Sequence, residues 1–139
     1  MDLDYRQRYF PVRLLVSRFF ATLMEYFQEP RNRSAMHSPD LVGIAGFPGQ
    51  GRFLMCYLKV CGEQVVDASF TCHGCGVTIA CGSALVEAAI GTTLAECQLI
   101  EPADLVRILD GIPADVADRA AFAVAALRDA ISHRGETIG

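Results

Sequence analysis

A cysteine-rich turn lies in the middle of the chain, in the stretch FTCHGCGVTIACGSALVEAAIG that runs from Phe70 to Gly91. Cys72 and Cys75 form a C-x₂-C pair with His73 between them. Two thiolates at this spacing can bind one metal ion across a tight turn, but a closed tetrahedral site needs further ligands. The spacing therefore indicates metal or iron–sulfur ligation, sulfur handling or the packing of small residues, and it leaves these alternatives open.

Cys75 lies at the predicted start of a helix, with Gly74 before it and Gly76 after it. The glycines allow the backbone to turn sharply and leave the thiol exposed, and the helix N-terminus favours a thiolate. Both iron ligation and sulfur transfer require a thiolate. We therefore predict that Cys75 is functional. The alternatives for Cys72 are a second ligand or a strand-end core thiol, and those for His73 are a further ligand or a hydrogen-bonded turn residue.

The other cysteines have the settings of packing or turn residues. Cys81 lies about 240° around the predicted helix from Cys75, and so points elsewhere. Cys56 and Cys97 lie among apolar neighbours and, like Cys81, are predicted to be buried. Cys61 falls in a predicted hairpin turn, where we expect it to be exposed and too distant from Cys75 to share a site.

The composition predicts one compact domain in a reducing compartment. The 139 residues are 52% hydrophobic and 20% charged, and the net charge is −4. The acidic balance argues against a nucleic-acid partner. The N-terminus lacks the features of a signal peptide, and no run reaches the roughly 18 apolar residues of a membrane span. We expect a cytoplasmic protein with no membrane partner, whose reduced thiols favour metal or sulfur chemistry.

The elements that must position the turn begin with an amphipathic helix from Val12 to Gln28, which has apolar residues at helical spacing. Three apolar strands are then predicted, at Leu41–Phe47, Phe53–Val60 and Gln64–Cys72. The short turns between them contain glycine, which is typical of an antiparallel meander.

Helices follow the strands. One begins after Gly76 and ends at Gly91, two short helical pieces come next, and an alanine-rich helix from Ala114 to His133 closes the pattern. This order predicts an α+β fold in which a three-stranded antiparallel β-meander packs against a layer of helices.

From about Leu23 to Ile131 the chain resembles the NifU/IscU family of iron–sulfur cluster assembly scaffold proteins. The segments that carry the resemblance are MEYFQEPRN, GFPGQGRFLMCYLKV, VVDASFTCHGCGVTIACGSALVEAAIGTTLAE and DGIPADVADRAAFAVAALRDAI. The resemblance implies one NifU/IscU-like domain over residues 1–139, with residues 1–12 as an N-terminal extension. It also implies a scaffold rather than an enzyme.

The chain departs from the family at the positions that hold the cluster. Family scaffolds bind a [2Fe–2S] cluster with three cysteines aided by an aspartate or a histidine, and here only Cys75 matches one of those cysteines. The resemblance places Gln50 at the first cysteine, Arg52 at the aspartate, and Asp118 and Arg119 at the family's His-Cys pair. Asp118 is therefore a candidate ligand, with a surface ion pair to Arg119 as the alternative.

Three functions fit these residues. The first is a scaffold-like protein that holds a [2Fe–2S] cluster or a single iron or zinc ion through Cys75 and Cys72, with His73 or Asp118 as further ligands. A cysteine desulfurase, an apo-protein client and a second copy of the chain are its expected partners, and a homodimer would supply matching thiols. The second is a cluster-free paralogue that docks a cysteine desulfurase, with the segment DYRQRYFPVR as a docking element. The third is a persulfide relay through Cys75.

Overall fold

Three consecutive strands form one antiparallel sheet, in the order β1-β2-β3. The structure is a computed structural model that describes residues 21–135. Its elements are α1 (residues 21–28), β1 (Leu41–Gly46), β2 (Phe53–Cys61), β3 (Gln64–His73), α2 (Gly76–Ala89), α3 (Leu94–Gln98), α4 (Pro102–Ile108), a short 3₁₀ turn (Ala114–Val116) and α5 (Asp118–Ser132). The predicted α+β fold with its antiparallel meander is confirmed. The predicted helical residues 12–20 and the predicted extension, residues 1–12, lie outside the described residues.

The strand ends differ from the prediction by one residue each. β1 stops at Gly46, whose positive φ of 78° turns the chain out of the sheet before Phe47. At the neighbouring end of the sheet, Phe53 pairs with His73, so β3 extends one residue beyond Cys72. The histidine is thereby fixed in the sheet, and the turn to α2 consists of two residues.

One face of the sheet packs against the helices. The central strand alternates, since Leu54, Cys56 and Leu58 are fully buried while the residues between them are half-buried. The β3 residue Phe70 lies under α2, and a side chain at Gly82 would come within 2.6 Å of its ring. This close contact holds the N-terminal half of α2 against the end of β3.

α5 lies directly on β1. Any side chain at Gly43 would collide with the backbone of Ala126 and Ala130, so the strand and the helix approach to backbone contact. The Asp129 carboxylate accepts a hydrogen bond from the Ile44 N–H at 2.9 Å. This backbone group lies on the free edge of β1 and would otherwise have no partner within the sheet. The position of α5 relative to the sheet is therefore fixed by backbone contact.

The prediction of one helix from Ala114 to His133 is wrong at its start. After Pro113, residues Ala114–Val116 form a 3₁₀ turn, and α5 begins only at Asp118. The backbone hydrogen bonds here run to the third residue back, as from Val116 to Pro113 at 3.1 Å. The shift places Asp118 in the first turn of α5, at the same end of the molecule as the cysteine turn.

A polar cluster joins α1 to α2. The Tyr26 hydroxyl donates to the Glu87 carboxylate at 2.6 Å, and the Arg31 Nε donates to the same carboxylate at 3.1 Å. The Arg31 guanidinium also lies 4.0 Å from the centroid of the Tyr26 ring. The end of α1 and the residues after it are thus held beside the last turn of α2, where Glu87 lies. Among residues 21–135, no helix has the length and apolar character needed to cross a bilayer.

Candidate functional site

The C-x₂-C turn joins the end of β3 to the start of α2. Cys75 is the N-cap residue of α2, with φ −77° and ψ 172°, and its side chain is exposed. Gly74 and Gly76 do not adopt left-handed φ angles, so sharp turning is not the reason for the glycines. A side chain at Gly74 would come within 3.0 Å of the Thr78 hydroxyl, and one at Gly76 within 3.0 Å of the Phe27 ring. The glycines instead leave room for Thr78 and for the Phe27 ring beside the turn.

The surroundings of Cys75 favour its thiolate. Burial acts most strongly on this thiol and alone would raise its pKa. Hydrogen bonds from the Thr78 hydroxyl, from the backbone N–H groups of Val77 and Thr78 and from the Arg119 side chain outweigh that effect and lower the pKa to about 7. The Cys75 Sγ lies 3.6 Å from the Thr78 Oγ1. A substantial fraction of Cys75 is therefore thiolate at neutral pH.

A cluster of alternating charges lies beside this thiol at the start of α5. Arg119 contacts Asp118 at 2.6 Å (Nη1 to Oδ1), and Arg52 contacts the other carboxylate oxygen at 3.5 Å. The Arg119 hydrogen bond, supported by the charge of Arg52, lowers the pKa of Asp118. The Arg119 Nε is buried without a hydrogen-bond partner. Asp118 therefore faces two guanidinium groups, one of which also reaches Cys75.

Cys72 is half-buried in β3, opposite Leu54. The pKa of the Cys72 thiol is raised, chiefly by burial and also by the charge at Cys75, and the charge and hydrogen bond of Arg33 offset only part of that rise. The two thiols are thus close enough to influence each other electrostatically. Each has an arginine of its own, Arg33 for Cys72 and Arg119 for Cys75.

Arg33 reaches Cys72 because the segment after α1 runs along the free edge of β3. The Phe70 N–H donates to the Asn32 carbonyl at 3.1 Å, and Arg33 forms an isolated parallel bridge with Phe70. The Asn32 side chain donates to the Ala68 carbonyl at 2.9 Å, which fixes the segment to the strand. None of the predicted site residues lies in this segment. No local signal marks Arg33, since its role depends on tertiary contact.

An open cleft lies on the other side of Cys72. It has a volume of about 440 Å³ and is lined by Gly49, Gly51, Phe53, Cys72 and His73. The exposed His73 ring stacks on Phe53, with 6.5 Å between the ring centroids and an angle of 17° between the planes. The cleft thus borders the end of β3 at Cys72 and His73.

The six cysteines are all free thiols, and those predicted to be packing residues are buried: Cys56, Cys81 and Cys97. Cys61 is exposed as predicted, and it lies at the hairpin, at the opposite end of β2 from the cysteine turn. Within residues 21–135, no group of three or more histidine, cysteine, aspartate or glutamate residues is placed to hold a metal ion. The ligand set of Cys75, Cys72, His73 and Asp118 therefore stays a prediction.

Comparison with known proteins identifies relatives of this arrangement. The family described as the NifU-like N terminal domain matches residues 19–136. The iron-sulfur cluster assembly scaffold protein IscU 1 of Archaeoglobus fulgidus is 33% identical over 109 residues, which cover 78% of this chain and 71% of that protein. The nitrogen fixation protein NifU of Cereibacter sphaeroides is 32% identical over 115 residues, which cover 82% of this chain and 47% of that protein.

The fold is also found in solved structures. The N-terminal part of a nitrogen-fixing NifU-like protein from Brucella abortus matches with a TM-score of 0.63 at 17% identity. The match covers 80% of this chain and 90% of that one. The similarity in fold therefore extends over most of the chain.

Proposed function

Because the chain belongs to the NifU/IscU family, whose NifU-like N-terminal domain spans most of its length, we propose that it is a scaffold in iron–sulfur cluster assembly and that it acts through Cys75. One observation carries the proposal. Cys75 presents an exposed thiol at the start of α2, with hydrogen bonds from Thr78 and Arg119 that favour the thiolate. A thiolate is the form that accepts sulfur and ligates iron.

The first step is the acceptance of sulfur from a persulfide donor, for which a cysteine desulfurase is the expected partner. The Cys75 thiolate attacks the outer sulfur of the donor persulfide, a sulfur–sulfur bond forms at Cys75, and the donor cysteine leaves as a thiolate. Sulfur moves between two cysteines without net oxidation, so no further reagent is needed. Arg119 stabilises the anionic sulfur. The protein would then carry the sulfur as cargo, which is the role of a scaffold.

A complete resident cluster does not fit the described residues of one chain. The turn supplies the thiols of Cys72 and Cys75, while the carboxylate of Asp118 is held by two arginines. A [2Fe–2S] cluster or an iron or zinc ion carried as cargo would therefore need ligands from a second chain or from an apo-protein client. Two copies of the turn would present four thiolates, the number that a tetrahedral sulfur site requires.

The proposal is tested by sulfur loading at Cys75. The purified chain is incubated under anaerobic conditions with a cysteine desulfurase and L-cysteine, and the added sulfur is located by mass spectrometry after thiol alkylation. We expect one additional sulfur per chain at Cys75 in Cys72→Ser and no addition at that position in Cys75→Ser. The matched control is Cys61→Ser, which removes the other exposed cysteine and should load normally. Loading that is unaffected by Cys75→Ser would refute the proposal.

A second function is favoured by the incomplete ligand set. The chain would then carry no cluster and would act by binding a cysteine desulfurase through its surface. The exposed Phe47, with 69% of its surface accessible beside the cleft loop, offers an apolar contact for such a partner. This function predicts that the double variant Cys72→Ser, Cys75→Ser still binds the desulfurase. It also predicts that Phe47→Ser does not bind it. Sulfur loading at Cys75 would argue for the scaffold instead.

A further inference from the structure

Two thiols and two arginines lie around one turn. Sulfur acceptance uses only one of each, Cys75 and Arg119. Cys75 is exposed and contacts Arg119, whereas Cys72 is half-buried and has its own arginine, Arg33. The sequence distance of three residues allows the two thiols to approach each other across the turn. Cys72 lies at the end of β3 and Cys75 caps the start of α2, so only His73 and Gly74 separate them in the fold.

We propose that Cys72 is a resolving thiol that releases the sulfur bound at Cys75 as sulfide. The inference rests on the proposed function, since it requires a persulfide at Cys75. The Cys72 thiolate attacks the Sγ atom of Cys75 and a Cys72–Cys75 disulfide forms. The bond between the Cys75 Sγ and the outer sulfur breaks, and the outer sulfur leaves as hydrosulfide.

The electrons balance within this step. The outer sulfur is reduced to sulfide, and the two cysteines are oxidised to a disulfide. An external dithiol reductant is needed only afterwards, to restore the two thiols for another cycle. The turn would thereby deliver sulfide, the oxidation state that a cluster contains, without an electron donor at the moment of release.

The geometry suits the two thiols to different roles. Cys75 stands at the surface, where a protein-bound persulfide can reach it. Cys72 is held in β3 opposite Leu54 and is less exposed, so a protein-bound persulfide meets Cys75 first. The hydrosulfide leaves from Cys75, whose exposed position opens directly to solvent.

The arginines fit the same sequence of events. Burial raises the pKa of Cys72 overall, and Arg33 partly offsets that rise, while Arg119 faces the Cys75 sulfur that Cys72 attacks. Arg33 is therefore a positioning residue for this step. Its own position depends on the backbone hydrogen bond between Asn32 and Phe70.

The test uses one equivalent of glutathione persulfide as the donor, added to the reduced full-length chain under anaerobic conditions. Released sulfide is measured, and the chain mass and the alkylated thiols are determined. In the native chain we expect about one sulfide per chain and a product lighter by two hydrogens, with Cys72 and Cys75 both protected from alkylation. In Cys72→Ser we expect a stable product heavier by one sulfur atom, with sulfide release slowed at least about tenfold.

Controls separate the release step from simple oxidation. Oxidised glutathione should form the same disulfide without releasing sulfide. Cys61→Ser should behave like the native chain, and Cys72→Ala provides a second variant if the serine is poorly tolerated at this half-buried position. Arg33→Gln should slow sulfide release while leaving the loading of Cys75 unchanged.

The outcomes distinguish the inference from the function on which it rests. A persulfide at Cys75 that is equally stable in the native chain and in Cys72→Ser would overturn the resolving role and leave sulfur acceptance intact. The absence of a persulfide in Cys72→Ser, together with no sulfide from the native chain, would overturn both. Sulfide release that depends on Cys72 and yields the Cys72–Cys75 disulfide would support both.

Discussion

At the scale of single residues, the site is defined by how the protein holds one thiol. The pKa of Cys75 is lowered to about 7, although burial alone would raise it. We therefore expect the rate of Cys75 alkylation by iodoacetamide to rise with pH and to reach half its maximum near pH 7. The sign follows from the thiolate being the nucleophile. Peptide mapping in a Cys61→Ser background measures the rate at Cys75, and a midpoint near that of a free thiol, about 8.5, would contradict the arrangement.

The same measurement separates the groups that lower this pKa. Thr78→Val keeps the shape of the side chain and removes the hydroxyl that lies 3.6 Å from the Cys75 Sγ. We expect the alkylation midpoint to move up in pH, which slows the reaction at pH 7 by roughly threefold to tenfold. Thr92→Val is a matched control, because Thr92 contacts the buried Cys97 instead. An equal change in both variants would show a general effect on the fold.

Arg119 should act on Cys75 through its charge. Arg119→Gln removes a cation that hydrogen-bonds to both Cys75 and Asp118, so we expect a higher alkylation midpoint. The control is Arg107→Gln. This variant breaks the ion pair between Arg107 and Asp104, whose charged atoms lie 2.7 Å apart and which is in α4 rather than at the cysteine turn. We expect Arg107→Gln to leave the midpoint unchanged. Added salt should raise the midpoint of the native chain and not that of Arg119→Gln.

Only some residues of the site could be predicted from the sequence. Cys75 stands out because glycines flank it at a helix start, a pattern that is local. Arg33 and Arg119 are separated from it by long stretches of chain and reach it only through the edge of β3 and the start of α5. Contacts of that kind follow from tertiary packing, and no spacing in one sequence indicates them.

At the scale of elements, the strands and helices follow closely from the pattern of apolar residues. The three strands appear within one residue of their predicted ends, because glycine-containing turns bound them. The start of α5 was not predictable in this way. Alanine favours a helix throughout the region, yet Pro113 leads into a 3₁₀ turn before Asp118. Local propensity cannot distinguish these two forms of helix, and the difference decides where Asp118 lies.

The contact between β1 and α5 yields a prediction about stability. Gly43→Ala adds one methyl group that would collide with the backbone of α5 at Ala126 and Ala130. Backbone cannot rotate aside as a side chain can, so we expect a loss of about 3 kcal/mol or more in the free energy of unfolding. Urea denaturation followed by circular dichroism measures it. Ala125→Ser, at an exposed position of the same helix, should change the stability by less than about 0.5 kcal/mol. A Gly43→Ala variant as stable as this control would refute the close packing.

At the scale of the whole molecule, the chain retains the fold of its family. The described residues of one chain nevertheless contain no group of three or more side chains placed to bind a metal ion. The thiols of Cys72 and Cys75 lie at one turn, and the charged residues around them are largely cationic. Such a surface favours anionic sulfur over a bare metal cation. We therefore expect a cluster or metal ion to be stable here only when further thiolates cancel its charge, and we expect a second copy of the turn to supply them.

Metal binding and association should therefore be one event. On anaerobic addition of Zn²⁺, or of Fe²⁺ with sulfide, we expect metal to bind only as the mass measured by light scattering doubles, with one zinc ion or one [2Fe–2S] cluster per two chains. Cys72→Ser and Cys75→Ser should each abolish both changes, whereas Cys61→Ser should retain them because Cys61 lies at the far end of the sheet. Dilution should release the metal, since dissociation of the dimer removes half of its ligands. One metal ion per chain in a particle of unchanged mass would show instead that a single chain completes the site, and the two-chain arrangement would be wrong.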